Sequence, residues 1–177
     1  AVGADYLLSR GTVTGFALAG GGSGFNVAGG GSGRSDLFQA GAFVHHTTDS
    51  AYITAAAAYG WQEVTTDRTL TIAGAERLHA EFNVNSFSGR IEGGYRYVMP
   101  WMGVGITPYA ATQMTVFDLP AYAERTTSGV GTFALAYAAD TVAATRSELG
   151  LRTDKSFVLN DAILTLRGRA AWEHDFN

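Results

Sequence analysis

Ser147, His174 and Asp175 have the residue types of a hydrolytic triad, and they are the first candidates for chemistry in this sequence. Ser147 lies in TRSELGLRT, which does not match the G-x-S-x-G turn that presents a nucleophilic serine. His174 and Asp175 are adjacent, so their side chains would point to opposite faces of a strand. We therefore expect no catalytic residues and predict that this segment is not an enzyme.

Two further patterns have the residue types of ligand-binding sites. His45 and His46 are adjacent and cannot both bind one metal ion from a strand, so we expect them to be rim or interface residues. The stretch GGGSGFNVAGGGSG, residues 20–33, matches neither the phosphate-binding loop nor the dinucleotide fingerprint. We predict no metal site and no cofactor.

The composition excludes several classes of protein. The 177-residue chain has a formal net charge of −4, which argues against nucleic acid as a partner. Cysteine is absent, so disulfides, thiolate metal sites and a cysteine nucleophile are excluded. No apolar run approaches the roughly 20 residues of a membrane-spanning helix. The 23 glycines and the charged fraction of only 16% are typical of an all-β chain with many turns and a large apolar surface.

Apolar and polar residues alternate with a period of two along much of the chain, which indicates strands with one apolar face. The alanine-rich segments ITAAAAYGW and FALAYAAD are compatible with helix, but aromatic and β-branched residues beside glycine favour strands. We predict eight strands, over residues 1–8, 12 to about 20, about 34–46, 51 to about 62, 86–97, 106–118, 145–153 and 162–176.

Three of these strands carry arginine and glutamate together on the polar face. Lys155 is the only lysine of the chain, although a solvated face usually carries lysine freely. Arginine instead forms bidentate pairs in crowded polar interiors. We therefore predict a lumen-lining face with Arg90, Glu92, Arg96, Arg146, Glu148, Arg152, Arg167, Arg169 and Glu173, and a lipid-facing set with Phe87, Ile91, Tyr95, Leu149, Leu151, Leu164, Leu166 and Trp172. An ion-pair network that braces the wall and a selective ion path are both open interpretations of the charges.

The connections alternate in length. Residues 9–11, 47–50, 99–105 and 154–161 are short links, whereas 20–33, 63–79 and 119–144 are long and rich in polar residues or glycine. Outer-membrane barrels show this asymmetry between periplasmic turns and extracellular loops. The chain would then begin and end at the outer rim. Because open edges would leave unpaired backbone groups in lipid, we expect the domain, residues 1–177, to be incomplete at both ends.

Particular blocks of the chain resemble a known family. SGRIEGGYRY, GITPYAATQMTVFDLPAYAE, RSELGLRTD and LRGRAAWEHDF are similar to the translocator β-domain of the autotransporters, the type V secretion proteins of Gram-negative bacteria. The first half, with GFALAGGGSGFNV and AYITAAAAYGWQ, resembles the middle strands of that domain. The resemblance covers essentially the whole chain. The chain departs from the family pattern by stopping at Asn177, without the final strands that end in an aromatic residue.

The resemblance implies an antiparallel up-and-down transmembrane β-barrel of twelve strands, of which about eight are present here. It also implies a pore for export or surface anchoring of an N-terminal passenger, in the outer membrane of a Gram-negative bacterium. The expected partners are outer-membrane lipid, the passenger and the outer-membrane insertion machinery. A small outer-membrane barrel acting in adhesion or passive permeation is the second hypothesis, and a soluble β-sheet binding protein is the third.

Overall fold

Within the part of the chain that the structure describes, the fold consists of eight long strands and four short ones. The structure, a computed structural model, describes residues 1–28, 30–71, 74–160 and 162–176. None of these residues belongs to a helix long and apolar enough to cross a membrane. The strands are β1 Val2–Ser9, β2 Thr12–Val27, β3 Gly31–Thr48, β4 Ala51–Leu70, β5 Glu76–Tyr95, β6 Tyr97–Val98, β7 Gly105–Leu119, β8 Tyr122–Ala123, β9 Arg125–Ser128, β10 Ala136–Tyr137, β11 Asp140–Leu159 and β12 Ala162–Phe176.

The long strands pair antiparallel in the order β1, β2, β3, β4, β5, β7, β11 and β12. The prediction of an all-β, up-and-down antiparallel fold with eight main strands is therefore confirmed. β6 pairs with β7, β9 pairs with β5, and β8 and β10 form a separate two-stranded sheet. Within the described residues β1 and β12 are paired on one side only, so this sheet is open.

Several strands run beyond their predicted ends. The glycine stretch was expected to be either a mobile loop or a twisted extension of a hairpin, and the structure shows the hairpin, because residues 19–27 of β2 pair with residues 31–39 of β3. The loop predicted over 63–79 is also mostly strand, since pairing of β4 with β5 continues to Leu70 and Glu76. Residues 154–159 continue β11 instead of forming a link. Gly29, Ile72, Ala73, Asp161 and Asn177 lie outside the described residues.

Two short connections depend on residues with positive φ. Asp49, in the turn between β3 and β4, has a φ of 52°, and Asn160, after β11, has a φ of 47°. Aspartate and asparagine tolerate this left-handed conformation better than other side chains. We call the end of the sheet with these connections the turn end, and the opposite end the loop end.

One face of the sheet is concave. Arg152 of β11 donates a hydrogen bond of 2.8 Å to the hydroxyl of Tyr52 on β4, although β5 and β7 lie between these two strands. Neighbouring strands are about 4.8 Å apart, so a contact across two intervening strands requires the sheet to curve toward it. We call this the inner face, and the opposite, convex one the outer face.

The apolar core of the described residues is small. It includes Tyr109 and Ala111 of β7, and its most buried members lie at the loop end. Leu78 and Ala80 of β5 are almost fully buried, with exposed fractions of 1% and 2%. The segment between β7 and β11, residues 120–139, covers the inner face of β4 and β5 there and is called the strap. Most other large apolar side chains are exposed, which a water-soluble sheet would avoid.

Candidate functional site

Glu148 is the centre of a charged cluster on the inner face. Its carboxylate is only 3% exposed and accepts hydrogen bonds from Arg90 of β5, Tyr109 of β7 and Arg169 of β12. Arg90 reaches it over β7, with Nη2 at 2.9 Å from Oε2. Arg169 also donates from Nε to the Tyr109 hydroxyl at 2.7 Å. One carboxylate therefore joins four strands.

Glu92 on β5 is the second centre of this cluster. Arg152 approaches its Oε1 to 2.7 Å, and Arg90 approaches its Oε2 to 2.9 Å. The Tyr52 hydroxyl donates a third hydrogen bond, of 2.8 Å. Arg90 links Glu92 to Glu148, so both carboxylates belong to one continuous network. Each buried charge in it is paired and hydrogen-bonded, as burial of a charge requires.

Two smaller groups of paired charges flank the network on the same face. Toward the loop end, Arg146 binds Asp175 at 2.6 Å and Glu173 at 3.2 Å. Toward the turn end, Arg96 binds Asp154 at 2.7 Å. Arg167 lines a cavity of about 830 Å³ beside that pair and forms no ion pair with any described residue.

The structure brings together five of the nine charged residues that the sequence selected: Arg90, Glu92, Glu148, Arg152 and Arg169. Arg146 and Glu173 form a separate pair, and Arg96 and Arg167 lie near the turn end. Tyr52, Tyr109 and Asp154 also contact these residues and were not identified from the sequence. The sequence indicates only which face of the sheet these side chains share, through their odd or even position along the strand. Which side chains they contact depends on the register between strands.

The eight side chains predicted to face lipid are all exposed, at fractions from 42% for Leu151 to 60% for Trp172. In each strand they alternate with the charged positions of the inner face, which places them on the outer face. They are Phe87, Ile91, Tyr95, Leu149, Leu151, Leu164, Leu166 and Trp172.

The outer face changes polarity along β4 and β5. Tyr59 and Phe87 pack together at 5.2 Å between ring centroids, and Trp61 is the next outward residue of β4. Beyond these aromatics the outward positions are polar: Glu63, Thr65, Asp67 and Thr69 on β4, and Asn85, Asn83, Glu81, His79 and Arg77 on β5. The apolar outer surface therefore ends at an aromatic band, and both strands continue beyond it.

The strap is attached to the inner face by two carboxylates. Glu124 accepts hydrogen bonds of 2.9 and 2.5 Å from Arg68 of β4 and one of 2.9 Å from the Leu135 amide. Hydrogen bonding by Arg68 holds the pKa of Glu124 below its usual range, although burial acts in the opposite direction. Glu76 accepts from the amides of Thr132 and Phe133.

Aromatic stacking holds the strap as well. The ring of Tyr122 stacks on Phe82 of β5 at 4.0 Å and on Tyr137 of β10 at 4.7 Å between centroids. Burial raises the pKa of the Tyr122 hydroxyl. The strap therefore packs on the inner face through one aromatic stack and through the hydrogen bonds of Glu124 and Glu76.

The triad residues are divided between the two faces. Asp175 binds Arg146 on the inner face, whereas His174 stacks with Trp172 and Phe176 at 5.7 and 4.5 Å between ring centroids. Ser147 is the cross-strand partner of His174 and lies with it on the outer face, whereas Asp175 lies on the inner face.

The two adjacent histidines also point apart. His45 bonds to Thr54 at 2.7 Å, and His46 bonds to Thr12 at 2.8 Å. No cluster of three potential metal ligands occurs within residues 1–28, 30–71, 74–160 and 162–176.

An open meander with an apolar outer surface, aromatic bands and a charged concave face has the architecture of a membrane β-barrel wall. The family model described as Autotransporter beta-domain matches residues 1–177, and the chain belongs to this family. It is a translocator β-domain of an autotransporter.

Known proteins similar to the chain include a curated sequence and two solved structures. The chain is 26% identical over 143 residues to an extracellular serine protease of Serratia marcescens, covering 80% of this chain and 13% of that protein. It resembles the translocator domain of autotransporter NalP from Neisseria meningitidis, with a TM-score of 0.78, 17% identity and coverage of 99% of this chain and 58% of the other.

The β-domain of the Bordetella autotransporter BrkA matches with a TM-score of 0.72 and 21% identity, covering 98% of this chain and 67% of the other. The chain thus spans about an eighth of the curated relative and about three fifths to two thirds of the two solved chains. At these identities the structural matches establish the fold.

Proposed function

We propose that this domain forms part of the wall of an outer-membrane pore, in a Gram-negative bacterium, that exports or anchors an N-terminal passenger. The observation that carries the proposal is the opposition of the two faces. The Glu92–Glu148 network lies on the concave face, and exposed aliphatic and aromatic side chains cover the convex one. Charges paired with arginine suit a wet lumen, and an apolar convex surface suits lipid.

The dimensions of the outer face support contact with lipid. Phe87 and Tyr95 are eight residues apart on β5, which is about 27 Å along an extended strand and about 21 Å along the axis of a barrel whose strands tilt by about 40°. An apolar band of roughly 25 Å between two aromatic girdles is characteristic of outer-membrane barrels, whose strands are tilted. On this proposal the polar outward positions of β4 and β5 beyond Trp61 lie above the membrane, and the strap lies at the outer mouth.

The barrel is proposed to contain more strands than the eight described. β1 and β12 each have an unpaired edge in the described residues, and such edges are unfavourable in lipid because backbone groups have no partners there. Additional strands would pair with both edges and bring the total in the barrel to twelve. Insertion of this barrel would require the outer-membrane insertion machinery as a partner.

The proposed role of the domain is structural and not catalytic. The protease named among the similar proteins matches over 13% of its own length, so its activity is not transferred to this chain by the comparison. The nine charged residues selected from the sequence are proposed to line the lumen, and the eight apolar ones to face lipid. The inner ion pairs would brace the wall and set the lumen potential.

Ion selectivity in planar bilayers tests this proposal. We expect the full-length protein to form channels, and we expect replacement of Arg146 and Arg167 by glutamine to shift permeability toward cations. Arg34→Gln is the matched control, because Arg34 pairs with Asp36 on the outer face at the loop end. Absence of channels, or the same shift in the control, would contradict the pore.

A further inference from the structure

The cavity of about 830 Å³ at the turn end contains the guanidinium of Arg167, which has no carboxylate partner among the described residues. It lies on the inner face and is lined by residues of β4, β5, β7, β11 and β12, including Arg96, Thr107, Asp154, Ser156, Thr165 and Arg167. Its position beside the short turns separates it from the strap, which covers the other end of the sheet.

Of the two arginines beside Asp154 in this cavity, Arg96 forms an ion pair with it and Arg167 does not. Asp154 directs both carboxylate oxygens to Arg96, with Oδ1 at 3.3 Å from Nε and Oδ2 at 2.7 Å from Nη2. Arg167 is the cross-strand partner of Asp154, but no hydrogen bond joins the two side chains within the described residues.

The other arginines of the inner face are all engaged. Arg90, Arg146, Arg152 and Arg169 each have a carboxylate partner within 3.2 Å. Asp49, in the turn beside the cavity, makes no ion pair with Arg167 in the part of the chain that the structure describes. Within the described residues, the guanidinium of Arg167 therefore has no carboxylate partner and is available to a ligand.

Hydroxyl groups lie next to this guanidinium. Ser156 and Thr165 are cross-strand partners and hydrogen-bond each other at 2.9 Å, and Thr165 is two residues before Arg167 on the same face of β12. A hydroxyl is both a donor and an acceptor, so this pair retains one donor that can be directed to a ligand. Arg96 is half exposed on the other side of Asp154.

We propose that Arg167 and Arg96, with the Ser156–Thr165 hydroxyl pair, form a binding subsite for an oxyanion at the turn end of the inner face. A guanidinium binds carboxylate and phosphate groups through two parallel hydrogen bonds, and a half-enclosed site strengthens the attraction. The inference rests on the proposed function, because the face must border water. The oxyanion is either a carboxylate of a polypeptide segment in the lumen or a free phosphate.

Equilibrium dialysis of the detergent-solubilised full-length protein tests the subsite without depending on conductance. The probes are labelled hexaglutamate and labelled inorganic phosphate. We expect binding of at least one probe, and about tenfold weaker binding by Arg167→Gln, the effect of losing one charge-assisted pair of hydrogen bonds. Arg167→Lys should recover part of the affinity, because lysine supplies the charge without the planar fork.

The control and the two probes separate the possible outcomes. Arg34→Gln removes one arginine from the outer face and should bind like the unmodified protein. Binding of hexaglutamate alone assigns the site to a polypeptide carboxylate, and binding of phosphate alone assigns it to the free anion. No binding, or equal affinities for the unmodified protein and Arg167→Gln, overturns the subsite. The channel measurement tests the pore and the dialysis tests the subsite, so failure of one proposal can be distinguished from failure of the other.

Discussion

The ring of Tyr109 on β7 lies across the backbone of Gly150 on β11. The two residues are cross-strand partners, and a methyl group at position 150 would overlap the ring. The glycine allows the ring to lie flat, so that its hydroxyl reaches Glu148 and its face meets Arg152 at 4.0 Å from the centroid. The orientation of the central tyrosine therefore depends on the absence of a side chain on the next strand.

Gly150→Ala should destabilise the folded protein by about 1–3 kcal/mol, the usual cost of overpacking. The measurement is the temperature at which the full-length protein loses its heat-modifiable gel migration. Gly89→Ala is the matched control, because the atom nearest to its added methyl group is 4.0 Å away. Equal losses in both variants would contradict the packing role of Gly150.

Glu148→Gln should destabilise the protein by about 3 kcal/mol, because the variant leaves two arginines facing a neutral amide in a buried site. The same gel assay measures the effect. Glu81→Gln changes an exposed glutamate of β5 and should have little effect. If Glu148→Gln were as stable as Glu81→Gln, the network would not brace the strands.

Attachment of the strap should weaken in acid. The folded-state pKa of Glu124 is lowered mainly by hydrogen bonding from Arg68, so its stabilisation is complete above the usual carboxyl pKa of about 4.5 and is lost as the pH falls below that value. Hydrogen exchange of the Leu135 amide, corrected for the intrinsic rate, should therefore show less protection at pH 3.5 than at pH 6.

Glu124→Gln should remove most of that pH dependence and lower the protection already at pH 6. Asp36→Asn, at an exposed pair on β3, should leave the Leu135 amide unchanged. A strap with the same protection at both pH values would show that Glu124 does not hold it.

Leu166→Arg should destabilise the protein by up to about 4 kcal/mol, because this outward residue faces lipid on the proposed barrel. Thr165→Arg changes the adjacent position, which faces inward, and should be milder. Heat-modifiable migration of the full-length protein provides the comparison. Similar effects at both positions would contradict the assignment of the faces.

The alternation of side chains was sufficient to predict the strands and the charged parity, but not where the strands end. In residues 86–97 and 162–176 one set of alternate positions is free of formal charge, apart from titratable His174, and mostly apolar, so the pattern is regular. On β4 the outward parity changes from Tyr59 and Trp61 to Glu63 and Asp67, and the alternation is lost although the strand continues. The polar part of this strand therefore has the sequence pattern of a loop, although its backbone remains paired.

The charged network was only partly predictable for a different reason. Parity selects which side chains share a face, whereas register selects which of them meet. Tyr109 contacts Glu148 because β7 and β11 pair Ala111 with Glu148, and no local pattern specifies that pairing. Contacts such as Arg152–Tyr52 also depend on curvature of the sheet, which period-two alternation does not contain.

The orientation of the two faces is tested most directly by single-cysteine labelling, since the chain has no cysteine of its own. Ser88→Cys lies on the inner face of β5 and Ile91→Cys on its outer face. In intact outer membranes, a water-soluble maleimide should label the cysteine at position 88 and leave the one at position 91 unlabelled. Equal labelling at both positions, or labelling at position 91 alone, would contradict an aqueous lumen on the concave side.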